Sequence, residues 1–346
     1  PLTDSELEEL KELCERLINV EYDEAQSNYS RILDLIENSD IEDDPSLYTS
    51  TMFRLGEFLG RSDRISEAQD IFLKMQDYAQ KRNLDKAYLR AQANFAITKA
   101  QSGLYHEAID VWENMLDQDT GLPMRLNLLN NISVGYGSLG NYNKAIEYAL
   151  KTLDLIDREN LDLERISPLI NLGSAYNKQS RYEKALEVWL QALSLAEGSN
   201  NLRRLCECLN DISIVYGTLK QTDTALEYAR RCLDVRLKVC SPLEIATSYN
   251  NFGYIHETAG NLDEALEYYS QAEAIYHAAN KHDMYTNCLL NIASINTKKG
   301  NYETALQFLD RALEHAKDLE IPELKRRTND QYSQVYAAMG DYQKAY

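Results

Sequence analysis

The sequence predicts an all-α solenoid built from antiparallel helix pairs, and three observations carry that prediction. An anchor alanine recurs at Ala145, Ala185, Ala225, Ala265, Ala305 and Ala345, each 40 residues after the last. A fixed period of this size marks an array in which each unit buries its apolar face only against its neighbours. Between the apolar stretches stand glycines at one register, Gly140, Gly260, Gly300 and Gly340, where a chain leaving a helix turns left-handed. Only 6 prolines and 14 glycines occur in 346 residues, and no stretch alternates with the strand period.

Taken in order, residues 4–38 predict a first helix pair, broken near Asn19-Val20. The acidic stretch from Asn38 to Pro45 has no apolar period and reads as a link. Pair two spans about Ser46 to Arg82, turning near Gly60 to Asp63, and pair three about Leu84 to Asp117, turning at Gly103. Residues Asp117 to Pro123 then shorten the spacing, so that Ala108 and Ala145 are 37 apart. Regular pairs follow, turning at Gly140, Ser180, Lys220, Gly260, Gly300 and Gly340. The expected division is an acidic hairpin and linker over 1–44, irregular pairs over 45–120 and regular repeats over 121–346. Pro1 and the half-repeat Gly340 to Tyr346 read as the ends of a piece cut from a longer chain. The last whole helix is then expected to expose a flank drawn from Val335, Tyr336 and Met339.

Within a pair, Ala185 and Ala192 share one helical face, and small side chains there let two helices approach closely. Tyr136, Tyr176, Tyr216 and Tyr336 recur four residues before the turn and read as core wedges with the hydroxyl near the rim. Ser180 and Lys220 stand where glycine is expected, so those turns are either strained or shaped differently. Pro242 and Pro322 suit helix starts. Pro168 lies about six residues later in its repeat, which predicts a helix starting near Ser167 or bending there.

Composition narrows the function. The net charge is −19, and residues 1–44 alone carry fifteen acids against three bases. General binding to nucleic acid or anionic membrane needs basic surface, so neither is expected as a partner. The six cysteines form no CxxC pair, and buried thiols in a reducing, cytoplasmic compartment are the expectation. No run of about 18 apolar residues and no secretory leader is visible, which predicts a soluble chain. Catalytic patterns are missing too. Gly135-Tyr-Gly137-Ser-Leu-Gly140 spells GxGxxG but closes a helix instead of opening one after a strand. The five histidines are scattered, and His256 replaces a recurrent tyrosine. No nucleophile elbow, phosphate loop or metal-ligand spacing appears, so no enzyme activity and no cofactor is expected.

Gly173, Tyr176, Ser180, Tyr182, Ala185 and Ala192 follow the order small residue, aromatic, turn, aromatic, alanine, alanine. In that order the chain resembles the tetratricopeptide repeats, strongly from about 122 onward and more weakly before. Its forty-residue period is similar to that of the long-helix repeats of Pins/Leu-Gly-Asn proteins, kinesin light chains and bacterial signalling regulators. The resemblance implies a right-handed superhelix whose first helices line a concave groove for a peptide or protein segment. It also implies two roles: the sensor region of a larger signalling protein with a cyclase, kinase or transcription-regulator output, or a stand-alone Pins-type scaffold.

One register of that groove can be followed through the repeats. Asn94, Asn131, Asn171, Asp211, Asn251 and Asn291 each stand two residues before the small residue. Asparagine costs a helix roughly half a kcal/mol relative to alanine, so its recurrence asks for a reason. A primary amide donates and accepts, and a row of amides can pair with the backbone of an extended peptide. The resemblance implies such a ladder; the competing reading is that the amides cap or cross-link neighbouring helices. Asn127, Tyr254 and Asn287 lie on the same face, at helical spacing from the register. The lining lacks the dense Lys-Asn set of carboxylate-clamping chaperone repeats. Arg203, Arg204, Lys220, Arg230, Arg231, Arg236 and Lys238 form a basic cluster, read either as a solvated face or as a dock for an acidic segment, including one within the same protein.

Overall fold

The computed structural model describes residues 2–17, 22–37, 39–62, 64–199, 201–239, 242–318 and 322–345. The described residues are helical almost throughout and include no strand. They form two compact units, Pro1–Asp162 and Leu163–Tyr346.

The first unit holds α1 (Asp4–Arg16), α2 (Tyr22–Glu37), α3 (Pro45–Arg61), α4 (Ile65–Lys81), α5 (Asp85–Gln101), α6 (Tyr105–Leu116), α7 (Leu122–Ser138) and α8 (Tyr142–Glu159). Helix α1 opens on a reciprocal cap: Thr3 accepts from the Glu6 N–H while the Glu6 carboxylate accepts from the Thr3 N–H at 2.8 Å. Asp44 caps α3 by accepting from the N–H groups of Ser46 and Leu47, both at 3.0 Å, with Pro45 at the first helical position. Leu10, Ile32, Leu55, Leu59, Phe72 and Met75 interlock across α1–α4 as one fully buried cluster. The expected break near Asn19-Val20 falls outside the described residues.

The second unit holds α9 (Ile166–Lys178), α10 (Tyr182–Gly198), α11 (Leu202–Thr218), α12 (Thr222–Val239), α13 (Pro242–Ala259), α14 (Leu262–Ala278), α15 (His282–Lys298), α16 (Tyr302–Asp318), α17 (Pro322–Met339) and the single turn α18 (Tyr342–Ala345). Each first helix packs on its own second helix and, in turn, on the next pair. The anchor alanines Ala185, Ala225, Ala265 and Ala305 are wholly buried, as close helix contact requires. A 3₁₀ turn at Asp162–Arg165 precedes α9, which begins at Ile166. Pro168 thus sits in the first helical turn, where its missing N–H has no intrahelical acceptor to lose. Val335 is buried, whereas Met339 is 45% and Tyr342 66% exposed.

The turns share one hydrogen-bonded form. Asn141 donates its N–H to the Tyr136 carbonyl at 2.9 Å, and Gly140 donates to Gly137 at 3.1 Å. Arg181 to Tyr176, Gln221 to Tyr216 and Asn261 to His256 repeat the longer bond, each at 2.9 Å. Ser180 and Lys220 adopt the same left-handed backbone as the glycines, with φ of 58° and 59°. Strain rather than a different shape answers the question posed by those two residues.

Candidate functional site

In the first unit, the small residue of each first helix brings its neighbour close, and the register two residues earlier is left on the opposite side. There α3, α5 and α7 frame a recess of about 760 Å³. Phe53, Leu89, Ile97, Met124 and Leu128 give it apolar walls. Asn94 and Asn131 from the register, and Asn127 one turn before Asn131, all line it. Asn94 donates back to the Arg90 carbonyl at 2.8 Å, which leaves its oxygen for other donors. The Asn127 and Asn131 amides have no hydrogen-bond partner among the described residues, with Asn127 exposed and Asn131 half-buried. Thr120, between α6 and α7, adds a buried hydroxyl without a partner. The Arg90 guanidinium lies 3.3 Å from the centre of the Phe53 ring.

The second unit uses the same register differently. Asn251 is 9% exposed, and its amide nitrogen donates to Asn210 of the preceding repeat. Asn291 donates to Asn250 at 3.2 Å, and Cys288 directs its thiol at the same oxygen. Asn287 donates to the Asp283 carbonyl at 2.9 Å and accepts from Arg327 at 2.5 Å. Each amide nitrogen of Asn251 and Asn291 thus ties one first helix to the previous one. That is a correction to the expectation of one uniform ligand-facing ladder. Asn171 is half-buried. Asp211, the one acid of the register, is also half-buried, and burial pushes its carboxyl up to about 6, against the opposing pull of a hydrogen bond from Asn210. Asn210 and Asn250 were not singled out from the sequence. Their signal is a second forty-residue recurrence, one position before the register, shared with Asn130.

A smaller recess of about 460 Å³ opens beside these ties, lined by Asn250, Asn251, Tyr254, Glu257, Asn291 and Lys298. Its carboxylate is already engaged: Glu257 accepts from the Tyr269 hydroxyl at 2.8 Å and pairs with Lys298 at 2.6 Å. The Tyr254 hydroxyl shares a hydrogen bond with Thr218 at 3.0 Å.

Part of the basic cluster is taken up by pairing. Arg204 bonds Glu207 at 2.6 Å, Arg231 pairs with Glu197, and Arg236 is buried, donating to the Ser248 hydroxyl at 2.9 Å. Arg236 belongs to the core between α12 and α13, not to an exposed docking face. His256 stacks on Tyr268 with ring centres 5.5 Å apart, and burial lowers its pKa. Cys14, Cys206, Cys208, Cys232 and Cys288 are buried free thiols; Cys240 lies outside the described residues. Among the described residues no cluster of three or more His, Cys, Asp or Glu side chains could hold a metal. None of their helices is long and apolar enough to cross a membrane.

The sequence profile of the tetratricopeptide repeat family matches residues 164–238, 244–318 and 285–345. No curated protein sequence matches the chain significantly. Solved structures do. The apo form of the quorum sensor NprR from B. thuringiensis has a TM-score of 0.67 at 14% identity, over 97% of this chain and 94% of its own. A Rap protein complexed with Competence and Sporulation Factor has a TM-score of 0.62 at 14% identity, over 88% and 95%. A STAND protein with a tetratricopeptide repeat sensor from Pyrococcus horikoshii has a TM-score of 0.62 at 13% identity, over 100% of this chain and 62% of its own. At these identities the likeness speaks for the fold. The repeat profile spans just over half of the sequence, and on that ground the chain belongs to the tetratricopeptide repeat family.

Proposed function

We propose that this protein is a non-catalytic, cytoplasmic recognition module that binds an extended peptide or protein segment across α5 and α7, as the sensor region of a larger signalling protein. The carrying observation is the pair of Asn127 and Asn131 amides, without partners beside an apolar recess of about 760 Å³. An extended segment has unpaired backbone N–H and C=O groups at every residue, which amides can meet in either direction. The apolar walls take its side chains. This division of labour, backbone by amides and side chains by apolar pockets, is how grooves read extended chains. Two solved structures of the same fold support a sensing role: one is of a quorum sensor, the other of a Rap protein complexed with Competence and Sporulation Factor.

The test is retention of short peptide pools on the immobilised whole chain. The Asn127→Ala, Asn131→Ala double variant should lose about five- to 150-fold in affinity, two net hydrogen bonds at roughly 0.5–1.5 kcal/mol each. Unchanged retention by the double variant, or no retention by the wild type, refutes the reading.

A further inference from the structure

We propose that the recess of the first unit reads one acidic side chain, Asp or Glu, set next to a bulky apolar residue inside the bound segment. The inference rests on the peptide-binding reading above and adds what the segment must contain. Lys86 and Arg90 stand one helical turn apart on α5, and both line the recess. Both reach solvent, and among the described residues neither is in an ion pair, although the Glu57 carboxylate acts on Arg90 electrostatically. Most arginines of the same unit do have one: Arg16, Arg31, Arg54, Arg61 and Arg64 are each paired with a glutamate. In a chain of net charge −19, two cations outside any ion pair thus stand together at one recess.

Arg90 is also held in place. Its guanidinium carbon lies over the Phe53 ring, 3.3 Å from the ring centre, so the group is held at the recess before any ligand arrives. Partial burial lowers the Arg90 pKa and Arg54 adds repulsion, with Glu57 opposing; an incoming carboxylate would add to that opposing attraction. Asp119 is the one acid on the rim, so the lining carries two cations against one anion. That small surplus favours a single carboxylate. The walls formed by Leu89, Met124 and Leu128 set the companion as an apolar side chain. An internal side chain, not a chain end, is assigned because the amides of Asn127 and Asn131 flank the cations and call for backbone continuing past them.

The experiment uses the immobilised whole chain and pools of short peptides, acetylated at the N-terminus and amidated at the C-terminus, with one residue fixed at each position in turn. Fixing Glu or Asp should raise retention about three- to tenfold over Gln or Asn, the scale of one charge-assisted hydrogen bond at a partly exposed site. Arg90→Gln and Lys86→Gln should bring the ratio of Glu-pool to Gln-pool retention down to about one. Asp119→Asn should enlarge it, a readout in the opposite direction that loss of folding cannot imitate. Retention without an acid preference, or a preference that survives both cation substitutions, overturns the proposal and leaves peptide binding standing. A stronger response to a free C-terminal carboxylate than to a fixed Glu also overturns it. Failure to retain any pool overturns both readings.

Discussion

Replacing Gly173 by alanine should destabilise the second unit, although the same change at Gly137 should not. Gly173 lies inside α9, beneath the indole of Trp189 from α10. A Cβ built at Gly173 would come within 2.6 Å of both Cδ1 and Cε2 of that ring. Ordinary carbon contacts lie near 3.5–4.0 Å, so the ring must retreat by about 1 Å. It has nowhere to go, because Trp189 is 1% exposed and donates its ring N–H to the Ile170 carbonyl at 3.1 Å. Overpacking costs about 1–3 kcal/mol, and the hydrogen bond adds about 1 kcal/mol. Alanine returns about 1 kcal/mol through helix propensity. The net loss is about 1–3 kcal/mol. At Gly137 the nearest atom to a new Cβ is that of Ala145 at 3.9 Å, so the propensity gain, roughly 0.5–1 kcal/mol, stands alone. Urea unfolding followed by far-UV circular dichroism and tryptophan emission compares both variants with the wild type. A Gly173→Ala protein as stable as the wild type would refute the packing argument.

Further expectations follow from the same geometry. Ser180→Gly and Lys220→Gly should each stabilise by about 0.5–1 kcal/mol in thermal or urea melts, by relieving left-handed backbone at φ near 58°. Ala265→Leu should cost roughly 1–3 kcal/mol, since Ala265 is wholly buried between paired helices; an unchanged melting temperature would contradict that. Asn251→Ala should lower stability by about 0.5–1.5 kcal/mol through loss of the tie to Asn210, a change read in urea with no peptide present. Asp211 has a folded-state pKa of about 6, raised by burial above its ordinary 3.8. Its favourable contribution is therefore complete below that ordinary value and lost as pH rises through 6. Asp211→Asn should then be neutral near pH 4 and more stable than the wild type at pH 7 by roughly 1–3 kcal/mol; a constant difference across that window would contradict the assignment.

The pairs, their turns and the buried alanines were legible because periodicity is a local signal. An alanine every 40 residues says where helices must meet before anything is known of the rest of the chain. Ser180 and Lys220 show the limit of that reading. From composition alone a non-glycine turn could be a different turn. The structure keeps the same turn, because the carbonyls of Tyr176 and Tyr216 still need the N–H groups of Arg181 and Gln221, both at 2.9 Å. An exposed strain of about 1 kcal/mol is smaller than the loss of two helix-ending hydrogen bonds. Arg236 was misread for a related reason: charge patterns count residues, and only packing reveals that this guanidinium bonds Ser248 in the core.

The amide register was visible, but its division into two uses was not. What decides the use is the residue one position before the register residue of the preceding repeat. Asn251 faces Asn210 and Asn291 faces Asn250, so donor meets acceptor and the two first helices are tied. The corresponding position for Asn131, across the shortened spacing, is Ala93, which offers no side-chain acceptor. Without that acceptor the Asn131 amide makes no tie to α5 and remains for something else to meet. A row that fastens repeats together in the second unit is thereby opened in the first, and the opening falls where apolar walls and unpaired charge coincide.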